Sequence, residues 1–192
     1  MDPMRRRSIQ FRASSIAMYT LGAIFLVPLT IGVLLVNSNA SQNDHVKQIS
    51  RDIASMYAQG MDFSRSANQT IALRVSEGLG MDIHAGQGVV ILSRLRMVHD
   101  ADCPAAPAQC SNNGYAVVTQ RFVMGNAALR PSSFGTPSSV DPATGDVQNW
   151  LNDPSARAQD FAGSLKPGES YAAECYITSP ESRAGVYSRT MF

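Results

Sequence analysis

The chain has 192 residues, 44% hydrophobic and 16% charged, with a formal net charge of +1 and three cysteines, a size that suits one modest domain. The near-neutral total hides an asymmetry: Arg5, Arg6, Arg7 and Arg12 against Asp2 give residues 1–12 a net +3, and the remainder carries −2. A polytopic transporter is excluded because no second long apolar run exists, and a nucleic-acid binder is disfavoured because basic residues beyond position 12 are scattered and outnumbered by acids.

Residues 1–12 read as a basic cytoplasmic N-terminus. From Ala13 to Val36 there are 24 residues without a charge, and roughly 20 apolar residues at about 1.5 Å rise each cross a hydrocarbon core of about 30 Å. A transmembrane helix is expected over 13–36. Tyr19 suits the headgroup region, Pro28 shapes the helix, and Gly22 and Gly32 offer small surfaces for helix packing. The four arginines precede the run, whereas Asn37 to Asn43 carry no charge. The positive-inside rule then puts 37–192 outside the cytoplasm. The competing reading is a cleaved secretory signal ending at Ser38-Asn39-Ala40, but signal cores run to about 7–15 apolar residues, which favours an anchor.

Val46, Ile49, Ile53, Met56, Gly60, Phe63, Ala67, Ile71 and Val75 recur at steps of three or four, the period of one helical face. The spacing predicts an amphipathic stalk helix within 37–80, ended by Gly78 and Gly80. Ile49, Ile53, Met56 and Phe63 are its candidate interaction face; packing of the same stripe on the domain's own sheet is at least an equal reading, and the two can coexist along different portions of the helix.

Residues 81–192 form the expected exported, β-rich domain. In 89–98 the period falls to two, with Val89, Ile91, Ser93, Leu95 and Met97 facing one way and Leu92, Arg94 and Arg96 the other. Tyr115 to Met124 reads as its hairpin partner, with Val118, Phe122 and Met124 on one face and Val117, Thr119, Arg121 and Val123 on the other. Residues 130–168 hold five prolines and read as a long surface excursion with a weak helical patch over Val147 to Phe161. A third strand is expected at Ser170 to Thr178, with Tyr171, Ala173, Cys175 and Ile177 opposite Glu174 and Tyr176, and a short terminal strand near the C-terminus.

Cys103 and Cys110 bracket CPAAPAQC in the hairpin loop, on the side of the membrane where disulfides persist, and a bridge is expected between them. A metal site of His99, Asp100, Asp102 and the thiols is the alternative, but zinc spacing calls for close cysteine pairs that are missing. Cys175 falls on an apolar strand face and reads as core. There is no GxSxG, HExxH, P-loop lysine or GxGxxG with an acidic partner, so no catalytic residue, cofactor or enzymatic role is expected. His45, His84 and His99 read as exposed or capping residues.

The arginine-rich start with Ser8-Ile9-Gln10-Phe11, the single apolar helix, the helical stretch RDIASMYAQGMDFS (51–64), the strands GVVILSRLR (88–96) and YAAECYIT, and VVTQRFVMGNAALRPSSFGTP (117–137) together resemble the TadE-like family of pilus-assembly proteins, pseudopilin-like components of the Flp/Tad apparatus. Family members often carry a glycine and a glutamate before the apolar run, the pattern read by a prepilin peptidase. Here MRRRSIQFRASS has no glycine before position 22, and Gln10 stands where the glutamate would fall. The resemblance thus implies an uncleaved accessory or minor component. It implies an inner-membrane, single-pass protein with a periplasmic domain, hetero-oligomeric with other pilin-like or Tad-apparatus proteins. The expected fold is α+β, a long N-terminal helix packed on a small antiparallel sheet. The alternative is a membrane-tethered, exported ligand- or protein-binding domain outside pilus biogenesis, using Tyr115, Trp150 and the 99–114 loop.

Overall fold

The computed structural model describes residues 26, 28, 43–76, 81–82, 86–103, 110–158, 168–178 and 185–192. The chain divides into two units, Met1–Gln42 and Asn43–Phe192. In the first, Leu26 and Pro28 are helical and exposed. The rest of the predicted membrane run, Gly22 and Gly32 included, lies outside the described residues. Among the described residues no helix is long and apolar enough to cross a membrane.

The second unit is α+β. Its strands β1 (Gly88–Met97), β2 (Ala116–Gly125), β3 (Glu169–Ile177) and β4 (Val186–Met191) form one antiparallel sheet in the order β2-β1-β3-β4. The alternation read for β1 and β3 holds. Val90, Leu92, Ala173, Cys175 and Ile177 point to one face and join one core, whereas Leu95 and Ala172 point to the other.

Two helices cover the first face: α1, described over 43–58, and α2 (Ser66–Val75). Val46, Ile49, Ile53 and Tyr57 of α1, with Phe63 from the connection, pack on Leu92, Phe122, Met124 and Cys175. Burying a side chain of this size contributes ~1.5–3 kcal/mol. Tyr57 stands edge-on to Phe63, Phe122 and Tyr171, the aromatic geometry favoured by ring quadrupoles. Its hydroxyl donates to Gln120 Oε1 at 2.8 Å. Ser50 Oγ donates to the Ala173 carbonyl at 3.1 Å, tying α1 to β3.

The single stalk helix expected over 37–80 is broken. Gly60, at φ +88°, ends α1 in a left-handed turn in which Met61 N donates to Met56 O and Gly60 N to Tyr57 O, both at 3.0 Å. This is the Schellman arrangement, which a glycine adopts without a Cβ penalty. After the break the stripe is only partly buried: Phe63 and Val75 join the core, whereas Ala67 and Ile71 are exposed, Ile71 to 42%. Of the two readings of the stripe, packing on the domain's own sheet is the one seen here: Ile49, Ile53 and Phe63 are buried in their own domain and Met56 is partly buried beside them. The sheet's apolar face needs a cover, and these residues supply it. The predicted stop at Gly78 and Gly80 lies outside the described residues.

The face reading of β2 is corrected. Leu95 pairs with Val118 but Arg94 with Gln120, so Thr119 is an extra residue in the ladder. Such a bulge exchanges the faces of the residues on either side. Ala116 and Val118 therefore face the second core, while Phe122 and Met124 face the helices.

The region read as a surface excursion is, over its described part, a second layer. Phe134, Val147, Ala156 and Ala158 are buried with Leu95, Val118 and Ala172 on the sheet's other face. Bare, that face would leave its own apolar residues in water. The same segment lines the outer edge of β2: Val147 N donates to Thr119 O and Ala158 N to Ala116 O, each at 2.9 Å, and Arg121 N to Gly145 O at 2.7 Å. Covering an edge strand in this way removes a template for unwanted pairing. Over its described part, 147–158, the helical patch expected from Val147 to Phe161 is replaced by turns and a short 3-10 turn, Pro154–Ala156, and its last three residues lie outside the described residues; Pro154 has no N–H to give a helix ladder.

Candidate functional site

Three polar groupings stand out in the domain, and the first surrounds the predicted disulfide. Cys103 and Cys110 are bonded, with Cα atoms 5.8 Å apart. A short 3-10 turn, Asp100–Asp102, leads out of β1 to Cys103. Asp102 accepts from His99 N at 2.9 Å and pairs with Arg96, and Asp100 accepts from Asn113 Nδ2 at 2.7 Å. The alternative metal cluster thus has its carboxylates engaged by Arg96, His99 N–H and Asn113, and its thiols joined to each other.

Cys110 is buried with Val98 and Val117, and Cys103, Trp150 and Leu151 pack on them. Two residues beyond the bridge, the fully buried Asn112 joins the hairpin loop to the 149–157 turn. Its Nδ2 donates to Trp150 O at 2.6 Å and Asp153 O at 2.7 Å, and its Oδ1 accepts from Arg157 Nε at 2.8 Å. Held there, the Arg157 guanidinium lies 4.0 Å over the Tyr115 ring, and that of Arg96 lies 5.8 Å over Trp150. Stacking of this kind is worth ~0.5–1 kcal/mol where exposed. Tyr115 is 48% exposed, whereas Trp150, expected to be exposed, is half-buried between two apolar clusters.

Asp153 knots the same turn. It accepts from Ser138 N and Oγ at 2.7 and 2.8 Å and from Ser155 N at 2.9 Å. Desolvation alone would raise its carboxyl, but the hydrogen bonds from Ser155 and Ser138 outweigh it and bring the value down to about 2.

The second grouping centres on Glu174 of β3, buried to 2% exposure on the face opposite α1. It accepts from Ser132 Oγ, from Ser133 N and Oγ at 2.9 and 2.7 Å, and from Tyr187 Oη at 2.6 Å. The Tyr187 hydroxyl is pushed up to about 12, by burial first and then by its bond to Glu174. Arg130 lies 4.0 Å over the Tyr187 ring. On β2 the buried Arg121 donates to Gly135 O at 3.1 Å, while its Nε and Nη2, like Ser93 Oγ, have no partner among the described residues. Burial lowers Arg121 to about 10 and the Glu174 charge opposes that shift.

The third is a surface depression of about 440 Å³ at the α1–α2 turn, lined by Met56, Gln59, Gly60, Met61, Asp62, Arg65 and Asn68. Asp62 accepts from Ser64 Oγ at 2.6 Å and Ser64 N at 3.0 Å, bonds that lower its carboxyl.

Cys175 is a buried free cysteine, and burial raises its thiol to about 12, which keeps it protonated and unreactive. Among the described residues no group of three or more His, Cys, Asp or Glu could hold a metal ion. The roles of Asn112, Glu174 and Asp153 were missed from the sequence. The only signal was Glu174 on the face opposite the apolar residues of β3. The chain matches no family model, no curated protein and no solved structure.

Proposed function

We propose that the chain is a membrane-anchored, TadE-like accessory or minor pseudopilin component in the assembly of a Tad/Flp-type pilus or secretion apparatus. One observation carries this reading: an uncharged 24-residue run behind four arginines leads, in sequence, into a helix whose apolar face lies on a small antiparallel sheet. In this proposal residues 13–36 span the inner membrane, with Gly22, Pro28 and Gly32 on the surface that packs against other pilin-like helices, and the domain from residue 43 is periplasmic. The Cys103–Cys110 bridge supports an oxidising compartment. The role is assembly without turnover: the membrane helix brings the subunit laterally into the complex, and the exported domain initiates, caps or stabilises it. Deleting the gene and imaging pili tests the proposal; fewer or shorter pili, restored by the full-length chain, are expected. Unchanged pili and unchanged secretion in the deletion strain would overturn it.

A second reading is favoured by the exposed Tyr115 ring under Arg157: a tethered domain that binds a ligand or protein outside pilus biogenesis. Genes for a secretion ATPase and Tad-type platform proteins beside this one would favour assembly.

A further inference from the structure

We propose that the Cys103–Cys110 bridge is a redox-conditioned clasp: closing it holds the 149–157 turn on the sheet and builds the exposed Tyr115–Arg157 surface. The bridge is itself part of the packing, since Cys110 is buried with Val98 and Val117 while Cys103 lies in the same cluster as Trp150 and Leu151. Directly after it, the 110–115 segment makes five bonds to the turn. Asn112 N donates to Leu151 O at 3.0 Å, Ser111 N to Asn152 Oδ1 at 3.1 Å, and Asn112 Nδ2 to the Trp150 and Asp153 carbonyls; Arg157 Nε returns one to Asn112 Oδ1. A sixth, from Arg157 Nη2 to Ser111 O at 2.6 Å, fixes the guanidinium over Tyr115. The surface residues thus take their positions from a loop whose other end the bridge ties back to β1.

The buried amide of Asn112 needs both carbonyls of the turn, and those carbonyls need it, because unmade bonds at a buried site are costly. An open bridge frees the 110–112 end of the loop and removes that reciprocal fit. Closing joins the two Sγ atoms as both thiols lose their protons. The two electrons pass to the disulfide of a thiol oxidant, which leaves as a dithiol. In the cytoplasm the surface would stay unbuilt, and it would form after export. Only this compartment statement rests on the extracytoplasmic placement proposed above.

The chain's single tryptophan, Trp150, sits at the joint and reports on it. Purified full-length protein in detergent is compared, oxidised, against the Cys103→Ser/Cys110→Ser variant, by tryptophan emission and by amide hydrogen exchange resolved along the chain. In the variant, a red-shifted emission and exchange faster by on the order of tenfold or more over 149–157 are expected, with β1 and β3 still protected. Unchanged emission and exchange would overturn the proposal. So would an equal loss of protection in β1 and β3, which would make the bridge a staple of the whole domain. Asn112→Ala, with the bridge intact, is expected to release the same turn; a turn held as firmly as before would also overturn it. Thiol trapping in intact cells reads the compartment separately. A trapped bridge supports the export half, and two trapped thiols overturn that half and the periplasmic placement without altering the coupling measured in vitro.

Discussion

Glu174 holds Ser133 twice, its Oε1 accepting from the backbone N–H at 2.9 Å and from the hydroxyl at 2.7 Å, across 41 positions of chain. With Ser132 and Tyr187 the same carboxylate joins β3, β4 and the start of the covering segment. Bonds to an ionised acceptor are the stronger kind, and a buried one concentrates their effect. The carboxylate also opposes the depression of the Arg121 guanidinium by burial.

Glu174→Ala should therefore destabilise the domain by about 3 kcal/mol, since it strands several partly buried donors and removes the nearby compensation for the buried Arg121. Ser132→Ala, which removes one donor, should cost nearer 1 kcal/mol. Urea unfolding followed by circular dichroism measures both. Equal losses in the two variants would contradict the central place given to the carboxylate.

Asp153 sets an acid limit on the 149–157 turn. Its folded value, about 2, lies below the ordinary 3.8, so its contribution is complete above 3.8 and is lost as pH falls through about 2. Asp153→Asn should lower stability at neutral pH by on the order of 1 kcal/mol. Its stability curve should also be flatter than the parent's between 3.8 and 2. Thermal unfolding across that window distinguishes them, and parallel curves would count against the carboxylate.

Ile53 and Met56 separate core from surface along α1. Ile53 is fully buried against the sheet and Met56 only partly so. Ile53→Ala should cost ~2–5 kcal/mol, and Met56→Ala well under half of that. Comparable losses would mean that Met56 is as deeply packed as Ile53. Charged substitutions at Ile53 should unfold the domain, so loss of assembly in such a variant would say nothing about an interface.

Cys175 should resist alkylation in the native protein and react once the chain is unfolded, because its thiol is buried and held protonated near 12. Mass spectrometry without reductant should then find one modified cysteine in denaturant and none before. Labelling of native Cys175 within minutes would show that the helix-covered core opens readily.

Much of the fold was legible where alternation is unbroken. β1 and β3 keep a strict two-residue period, and their faces follow from it. β2 was misread because its bulge leaves no mark on hydrophobicity: Val118 and Phe122 are four residues apart and look equivalent. The helix break was masked because Gly60 and Phe63 fall at positions that preserve the apolar spacing. Phe63 does reach the core, but from a turn. The covering segment has no period, since its buried residues are set by bonds to β2 and by Asp153. In the site, eight residues from Cys103 to Cys110 announce the bridge. Asn112 and Glu174, by contrast, act on partners about 40 positions away, and nothing local marks such pairs.

Thr119 gives β2 two reading frames. Residues before it are in phase with the loop-covered core, and those after it with the helix-covered core. One strand is thereby a shared wall whose two halves answer to different neighbours. Excising Thr119 alone would bring the whole strand into a single phase and turn one half inside out, although composition would hardly change. Thr119, buried and bonded to Arg94 and Val147, thus acts as the spacer on which the double-layered domain depends.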